Sequence, residues 1–354
     1  MPRIVLEMIG GVWNTIVMMT LGLWLVSCSG EADDPVIEPR PAALTLITST
    51  GGMGDNGYND LILDGIMGFV TKNNVALSIV SPKDRQEAQT AVKNWHNDNT
   101  TGNKSLLILA SNEYESLLDG NLLKPEASKS VLLFESEKED LPDNVFTFSI
   151  RRYGASYLCG RMAAKCPYAF VLAAFPGDGT LEPAIEGFRQ GYAEGLNQAA
   201  EVIYLSEDAT GYNSPEKAYS QTKGLPHNAF VFPLAGGSNF GVYKYVRENM
   251  FSLMLVAGMD VDCSDYSTRT PFSLTLNIDR VLNTFLNDWL SGNKQEQHLK
   301  GGLAEDFANV TVNAGFFDNC YTWEDYYDTP DYWQKAYDTY YPSALKAERS
   351  YYEK

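Results

Sequence analysis

Histidine is scarce in this chain. Only His96, His227 and His298 occur among 354 residues, each isolated. A zinc centre draws on clustered His and Cys, and no Cys-x-x-Cys pair is present to begin one. The same scarcity removes the base from a Ser-His or Cys-His nucleophile pair, and no Gly-x-Ser-x-Gly elbow exists. Positive charge is also short: 27 Lys and Arg stand against 45 Asp and Glu, a net charge of −18. Such a chain repels nucleic acid and anionic membrane surfaces, and disfavours an anionic ligand unless local cations offset the field. No apolar run is long enough to span a bilayer comfortably. The stretch Val12–Val26 falls short of the roughly 20 residues a spanning helix needs. These absences point away from a catalytic His or metal centre, a nucleic-acid partner and a membrane span.

The stretch has the length of a signal h-region instead. It closes on Leu25-Val26-Ser27-Cys28, which resembles a bacterial lipoprotein signal with Cys28 as the acylated residue. Residues 1–27 then fall outside fold reasoning. The mature chain is anchored to a membrane without spanning it, in the cell envelope, on the periplasmic face or the outer surface. Residues 28–42, with three prolines and several acids, read as a linker. Four more cysteines, Cys159, Cys166, Cys263 and Cys320, could pair in an oxidising compartment; spacing does not fix the pairing, although Cys159 and Cys166, about two turns apart on one continuous helix, are too far apart to bridge.

From Ala43 onward, strand and helix patterns alternate. Ala43–Thr50, Val75–Val80, Ser105–Ala110, Ser130–Glu135 and Val145–Ile150 read as strands, with helical stripes over Tyr58–Phe69 and Gln86–Trp95. The pattern restarts at Tyr153–Lys165 with a helix, and strands follow at Tyr168–Phe175, Glu201–Leu205, Asn228–Pro233, Ser252–Gly258 and Ser273–Leu276. Helices fall between them at Pro183–Asn197, Ser214–Lys223 and Gly241–Glu248, and a last one at Ile278–Ser291. Short apolar strands separated by helices argue for parallel sheets buried on both faces. The expectation is an α/β fold of two doubly wound lobes around a cleft. Residues 43–150 with about 278–305 form the first lobe, and 151–277 with about 306–318 the second. The segment 319–354 is dense in Tyr, Trp and Asp and ends in a helical stretch. Packing of its aromatics on the back of the lobes is the expected role.

Ligands bind at the carboxyl ends of strands in such sheets. The first exit carries Gly52-x-Gly54-x-x-Gly57, which formally matches a dinucleotide fingerprint. Three features reject that reading. Asp55 sits where a pyrophosphate would lie, the second strand ends in Ser81-Pro82 without an acid for a ribose, and the compartment supplies no NAD. No cofactor is expected. The side chains suit a neutral planar solute instead: Asp55 and Asn59 offer polar groups, and Tyr58 a flat face. In the second half, Ala235-Gly236-Gly237 offers backbone, and Gly258-Met259-Asp260-Val261-Asp262 ends in paired carboxylates.

These segments carry a resemblance. Gly54-Asp55-Asn56-Gly57-Tyr58-Asn59-Asp60 resembles the first signature of the basic membrane protein family, the purine-nucleoside receptor-like lipoproteins of ABC transporters. Asn144–Phe148 with Gly154-x-x-Tyr157-x-x-Gly160, then Ile185-Glu186-Gly187-Phe188-x-x-Gly191-Tyr192, then the Ala235-Gly236-Gly237 and Gly258–Asp262 loops, are similar to further family segments in the same order. The resemblance implies a type I periplasmic-binding-protein fold without catalysis, a small-molecule, nucleoside-like ligand and an ABC transporter permease as partner. Carried over, Tyr58 and Phe232 stack on a base, Asp55 and Asn59 read it, and Gly237 and Asp260 contact a ribose. Two positions depart from the family: Asn277 stands where a lysine is expected, and Tyr58 replaces a phenylalanine. A binding protein for a sugar or signalling molecule, and a surface lipoprotein with an adhesive role, are the alternatives.

Overall fold

The computed structural model describes residues 42–98, 104–118, 128–249, 252–316 and 331–353. Cys28, the segment 1–27, most of the linker and Cys320 lie outside them.

The first lobe is built on one parallel sheet. Strands β1 (Ala43–Ile47), β2 (Ala76–Val80), β3 (Ser105–Leu109), β4 (Lys129–Phe134) and β5 (Val145–Ile150) alternate with helices α1 (Tyr58–Asn73) and α2 (Arg85–Asn97). A late strand, β12 (His298–Gly301), joins them in the order β12-β5-β4-β3-β1-β2, every pair parallel. The central strand β3 shows why its sequence is an unbroken apolar run. Leu106 and Ile108 enter one core, Leu107 and Leu109 the core on the opposite face, and none is exposed. Alternating polar residues would leave one face dry and unpaired.

The second lobe carries α3 (Tyr153–Ala163), β6 (Tyr168–Ala173), α4 (Glu182–Leu196), β7 (Glu201–Tyr204), α5 (Pro215–Lys223), β8 (Ala229–Leu234) and α6 (Asn239–Glu248). Then come β9 (Leu255–Val256), β10 (Gly258–Asp260), β11 (Phe272–Leu276), β13 (Ala308–Val312) and α8 (Tyr332–Tyr352), while α7 (Ile278–Ser291), between β11 and β12, packs on α1 of the first lobe. Strands β7-β6-β8-β9 make one parallel sheet, and β10-β11-β13 a second, with β13 antiparallel to β11. The expected single strand over Ser252–Gly258 is therefore split at Ala257, which bonds to Val231, while the chain passes on into the second sheet. Strands β12 and β13 were not anticipated; β12 is short and only its last residue is buried.

The glycine motifs of the sequence turn out to be a helix–helix seam. A Cβ on Gly160 would lie 2.1 Å from the Phe188 carbonyl, and one on Gly191 at 2.1 Å from the Tyr157 carbonyl. Only glycine lets the backbones of α3 and α4 approach that closely. Disulfide chemistry is corrected for two cysteines. Cys159 and Cys263 are free buried thiols, Cys159 within the α3 face and Cys263 bonded through its sulfur to the Val261 carbonyl at 3.3 Å. No helix among the described residues is long and apolar enough to cross a membrane.

Candidate ligand-binding cleft

The strand exits of both lobes converge on a cleft of about 550 Å³. That volume suits a small solute. The first wall begins at the exit of β1. Asp55 and Asp60 knot this loop: Asp60 accepts from the Gly54 and Asn56 amides at 2.9 and 2.8 Å, and Asp55 from Gly57 at 3.0 Å. The other Asp55 oxygen accepts from the Asn59 backbone and side-chain amides, at 3.1 and 3.0 Å. Asn59 itself donates to Ser49 Oγ and accepts from the Ser49 amide, and it is buried. Both residues line the cleft. Their hydrogen bonds, however, are engaged in holding the loop that presents Tyr58.

Tyr58 opens α1 and lies against Phe134 edge to face, with ring centres 6.3 Å apart; Phe134 in turn stacks on Phe148. The Tyr58 hydroxyl is buried and has no hydrogen-bond partner among the described residues. Burial, with the carboxylate of Glu135 adding to it, pushes this phenol well above its ordinary range. The Arg152 guanidinium stands 5.8 Å from the ring centre.

Arg152 comes from the crossing between β5 and α3. It pairs with Glu135 at 2.6 Å and donates to the Ile150 carbonyl at 3.1 Å. Burial alone would lower its pKa, but the charge and hydrogen bond of Glu135, with Tyr58 and Asp260 adding to them, together outweigh burial and hold the guanidinium charged. Glu135, at the exit of β4, has a left-handed backbone with φ 58°, as does Asp260 with φ 67°. Such conformations in non-glycine residues cost on the order of 1–3 kcal/mol and persist where the surroundings dictate them. Both strained acids face the same cleft.

Asp260 ends β10 on the opposite wall. Its carboxylate reaches the α1 N-terminus: a Cβ on Gly57 would lie 2.9 Å from Asp260 Oδ2. No hydrogen bond to the carboxylate forms among the described residues. Burial pushes the Asp260 carboxyl up to about 7; Arg152 opposes the shift, and Asp55 and Glu135 add to it.

The second lobe also supplies an aromatic, but not the expected one. Phe232 is fully buried, its ring stacked on Phe188 at 4.3 Å, and it does not line the cleft. That expectation is corrected: β8 is covered on both sides, and this side chain takes the face toward α4. Tyr212, on the loop after β7, lines the cleft in its place, edge to face with Phe175 at 5.8 Å. Its hydroxyl donates to Asp178 at 2.7 Å, and Asp178 is held by Thr180. Gly236 has φ 51° and a Cβ there would meet the Tyr212 ring at 3.0 Å, so glycine both permits the turn and leaves room for the ring. Gly237 lines the cleft beside it. Ser238 ties the two loops, donating to the Gly211 carbonyl at 2.7 Å.

Tyr212, Glu135, Arg152 and Glu113 were missed by sequence reasoning. Glu113 holds Thr50 through both its amide and hydroxyl, at 2.8 and 2.9 Å. All four sit at or soon after strand exits, and the same rule that found Tyr58 points to them. Asn277 lies outside the cleft lining; it donates from its side chain to the Asp306 carbonyl at 2.8 Å. No cluster of His, Cys, Asp and Glu suited to a metal ion occurs among the described residues.

Two parallel-sheet lobes joined by three crossings, with a lined cleft at their strand exits, define a type I periplasmic-binding-protein fold. The chain belongs to the Bmp family, the PnrA-like substrate-binding proteins of ABC transporters, whose profile matches residues 43–329. A comparison with curated protein sequences finds no match. Among solved structures, an ABC transporter solute-binding protein from Aeropyrum pernix K1 is similar at 15% identity with a TM-score of 0.68, covering 87% of this chain and 90% of that one. A solute-binding protein from Conexibacter woesei gives 13% identity and 0.60, with coverage of 87% and 97%. A transcriptional activator of the comK gene from Bacillus halodurans gives 16% and 0.60, covering 85% and 97%. At these identities the likeness concerns the fold alone. Family membership makes this chain a substrate-binding protein with a small-molecule ligand and a transporter partner, and such proteins work outside the cytoplasm.

Proposed function

We propose that the chain is a lipid-anchored receptor, tethered through Cys28, that captures a purine nucleoside or a close heterocyclic relative for an ABC transporter. One observation carries the reading. Tyr58 and Tyr212 come from opposite lobes and both line one cleft, each ring fixed by its own neighbours. Two fixed aromatic faces suit a flat ring, and stacking contributes about 1–3 kcal/mol per base in nucleic-acid sites. The hydrogen-bonding groups left over support a glycoside. The Tyr58 hydroxyl has no hydrogen-bond partner among the described residues, and the Asp260 carboxylate and the Gly237 backbone line the same cleft. Asp55 and Asn59 serve this ligand by shaping the wall that carries Tyr58.

A hexose is served less well. Sugars are held by many convergent hydrogen bonds, whereas Asp55, Asn59, Glu113 and Asp178 are already engaged in hydrogen bonds within and between the cleft loops. The acids Asp55, Glu113, Glu135, Asp178 and Asp260 outnumber Lys83 and Arg152 around the cleft, so a phosphorylated nucleotide is disfavoured. The test is mass spectrometry of small molecules released by acid from the freshly purified chain. A purine nucleoside or base supports the reading; a hexose or a nucleotide as the retained ligand overturns it.

A further inference from the structure

The C-terminal helix does more than cover a lobe. Three chain segments join the two lobes: residues 151–152 between β5 and α3, Asn277 between β11 and α7, and 302–307 between β12 and β13. Glu348, near the end of α8, inserts its carboxylate between the first turn of α3, directly after the first crossing, and the third crossing. It accepts from the Gly154 amide at 3.1 Å, from Leu303 at 2.9 and 3.1 Å, and from Ala304 at 3.3 Å. The side chain is buried, at 4% exposure, in the second lobe's helix layer. Room has been made for it: a Cβ on Gly154 would lie 2.4 Å from Glu348 Oε2, and one on Gly302 at 2.5 Å. Either substitution would expel the carboxylate.

Neighbouring contacts seat the same helix end on the crossings. Tyr351 stacks on Tyr153 at 4.0 Å, and the Arg151 guanidinium lies 4.7 Å from the Tyr352 ring centre. The second crossing is tied to the third independently, since Asn277 donates to the Asp306 carbonyl and its amide to the Phe307 carbonyl at 2.9 Å. The Arg151 amide donates to the Gly301 carbonyl at 2.7 Å, just ahead of the third crossing, and a charged group from outside the crossings adds a tie between the first turn of α3 and the third crossing. Closure of a two-lobe binding protein is absorbed by φ/ψ changes in a few such residues. A carboxylate bound to several of their amides restricts which angles they adopt.

We infer that Glu348 is a positioning residue for lobe closure: it fastens the third crossing to the first turn of α3, where the chain enters the second lobe, and so sets the resting angle between the lobes. Its burial and its amide partners belong to the fold and do not depend on which ligand is captured.

Hydrogen exchange and small-angle scattering on the purified, ligand-free full chain test this with Glu348→Ala, Glu348→Gln and Trp333→Ala. Trp333 is buried against Phe272 at the far end of α8, so its truncation loosens the helix without touching the carboxylate. Glu348→Ala is expected to speed exchange at Gly154, Leu303 and Ala304 together by about tenfold or more, the size of losing a hydrogen bond to a charged group. It should also change the radius of gyration, while Trp333→Ala changes neither. Glu348→Gln, which keeps the shape but only one acceptor oxygen, should move both readouts in the same direction by less. If Glu348→Ala fails to fold, Glu348→Gln alone decides on the same criteria. Exchange that rises only along α8, an unchanged radius, or equal effects from Trp333→Ala would overturn the proposal.

Discussion

Replacing Asp260 by Asn should change how stability depends on pH, and the sign follows from the carboxyl's surroundings. Burial in the cleft raises its pKa from 3.8 to about 7 in the folded chain. A raised carboxyl favours the folded state when protonated. Its contribution is fully present below about 4 and is lost as pH rises through about 7. For one site with these two values, linkage gives about 1.4 kcal/mol more stability at pH 6 than at pH 8, roughly a tenfold change in the folding equilibrium. Asn keeps the shape without the charge. Asp260→Asn should therefore lack this increment, and should be more stable than wild type at pH 8. The assay is urea unfolding of both proteins at pH 6, 7 and 8, read as the difference between them, so that titrations common to both cancel. A wild-type advantage that grows as pH rises would refute the reasoning, and so would identical slopes in the two proteins. The cost of Asp260→Asn should appear in binding, because the charged acceptor facing Gly57 is gone.

Other substitutions separate the cleft from the core. Tyr58→Ala and Tyr212→Ala should each weaken binding of a purine nucleoside by about ten- to a hundredfold in calorimetry. Phe232→Leu should instead lower folding stability by on the order of 1 kcal/mol, read in urea unfolding, and leave affinity unchanged. Gly191→Ala should destabilise α3 against α4 by more than a surface change, detectable as a lower melting temperature, since its Cβ has no space beside the Tyr157 carbonyl. Cys28→Ser should accumulate as an uncleaved, unacylated precursor on a gel; normal processing and anchoring of that variant would remove the lipoprotein assignment.

The sequence and the fold agree where apolar runs are long enough to be buried on both faces. Strands such as Ser105–Leu109 and helices such as Tyr58–Asn73 follow directly from hydrophobic pattern. The polar four-residue strand His298–Gly301 does not, because its pairing with β5 is a tertiary event. Within the cleft, a strand buried on both sides hides which face each residue takes. Phe232 was therefore assigned to the ligand although it stacks on Phe188. Tyr212 lies only eight positions past the end of β7, but its role depends on Asp178 orienting the hydroxyl from a distant loop. The polar groups at Asp55 and Asn59 were legible as a cleft motif. That their bonds are consumed within the loop is a matter of geometry that residue types alone do not disclose. Glu348 was invisible for a similar reason: its partners are backbone amides far away in sequence.

The most direct measurement is isothermal calorimetry of the chain, stripped of retained ligand by unfolding and refolding, against purine nucleosides, free purines, hexoses and purine nucleotides. Capture between Tyr58 and Tyr212 with Asp260 as acceptor predicts tight binding of a purine nucleoside, weaker binding of the free base, and none of the hexose or the nucleotide. Binding of a hexose or nucleotide in preference to every nucleoside, or no nucleoside binding at millimolar concentration, would contradict it.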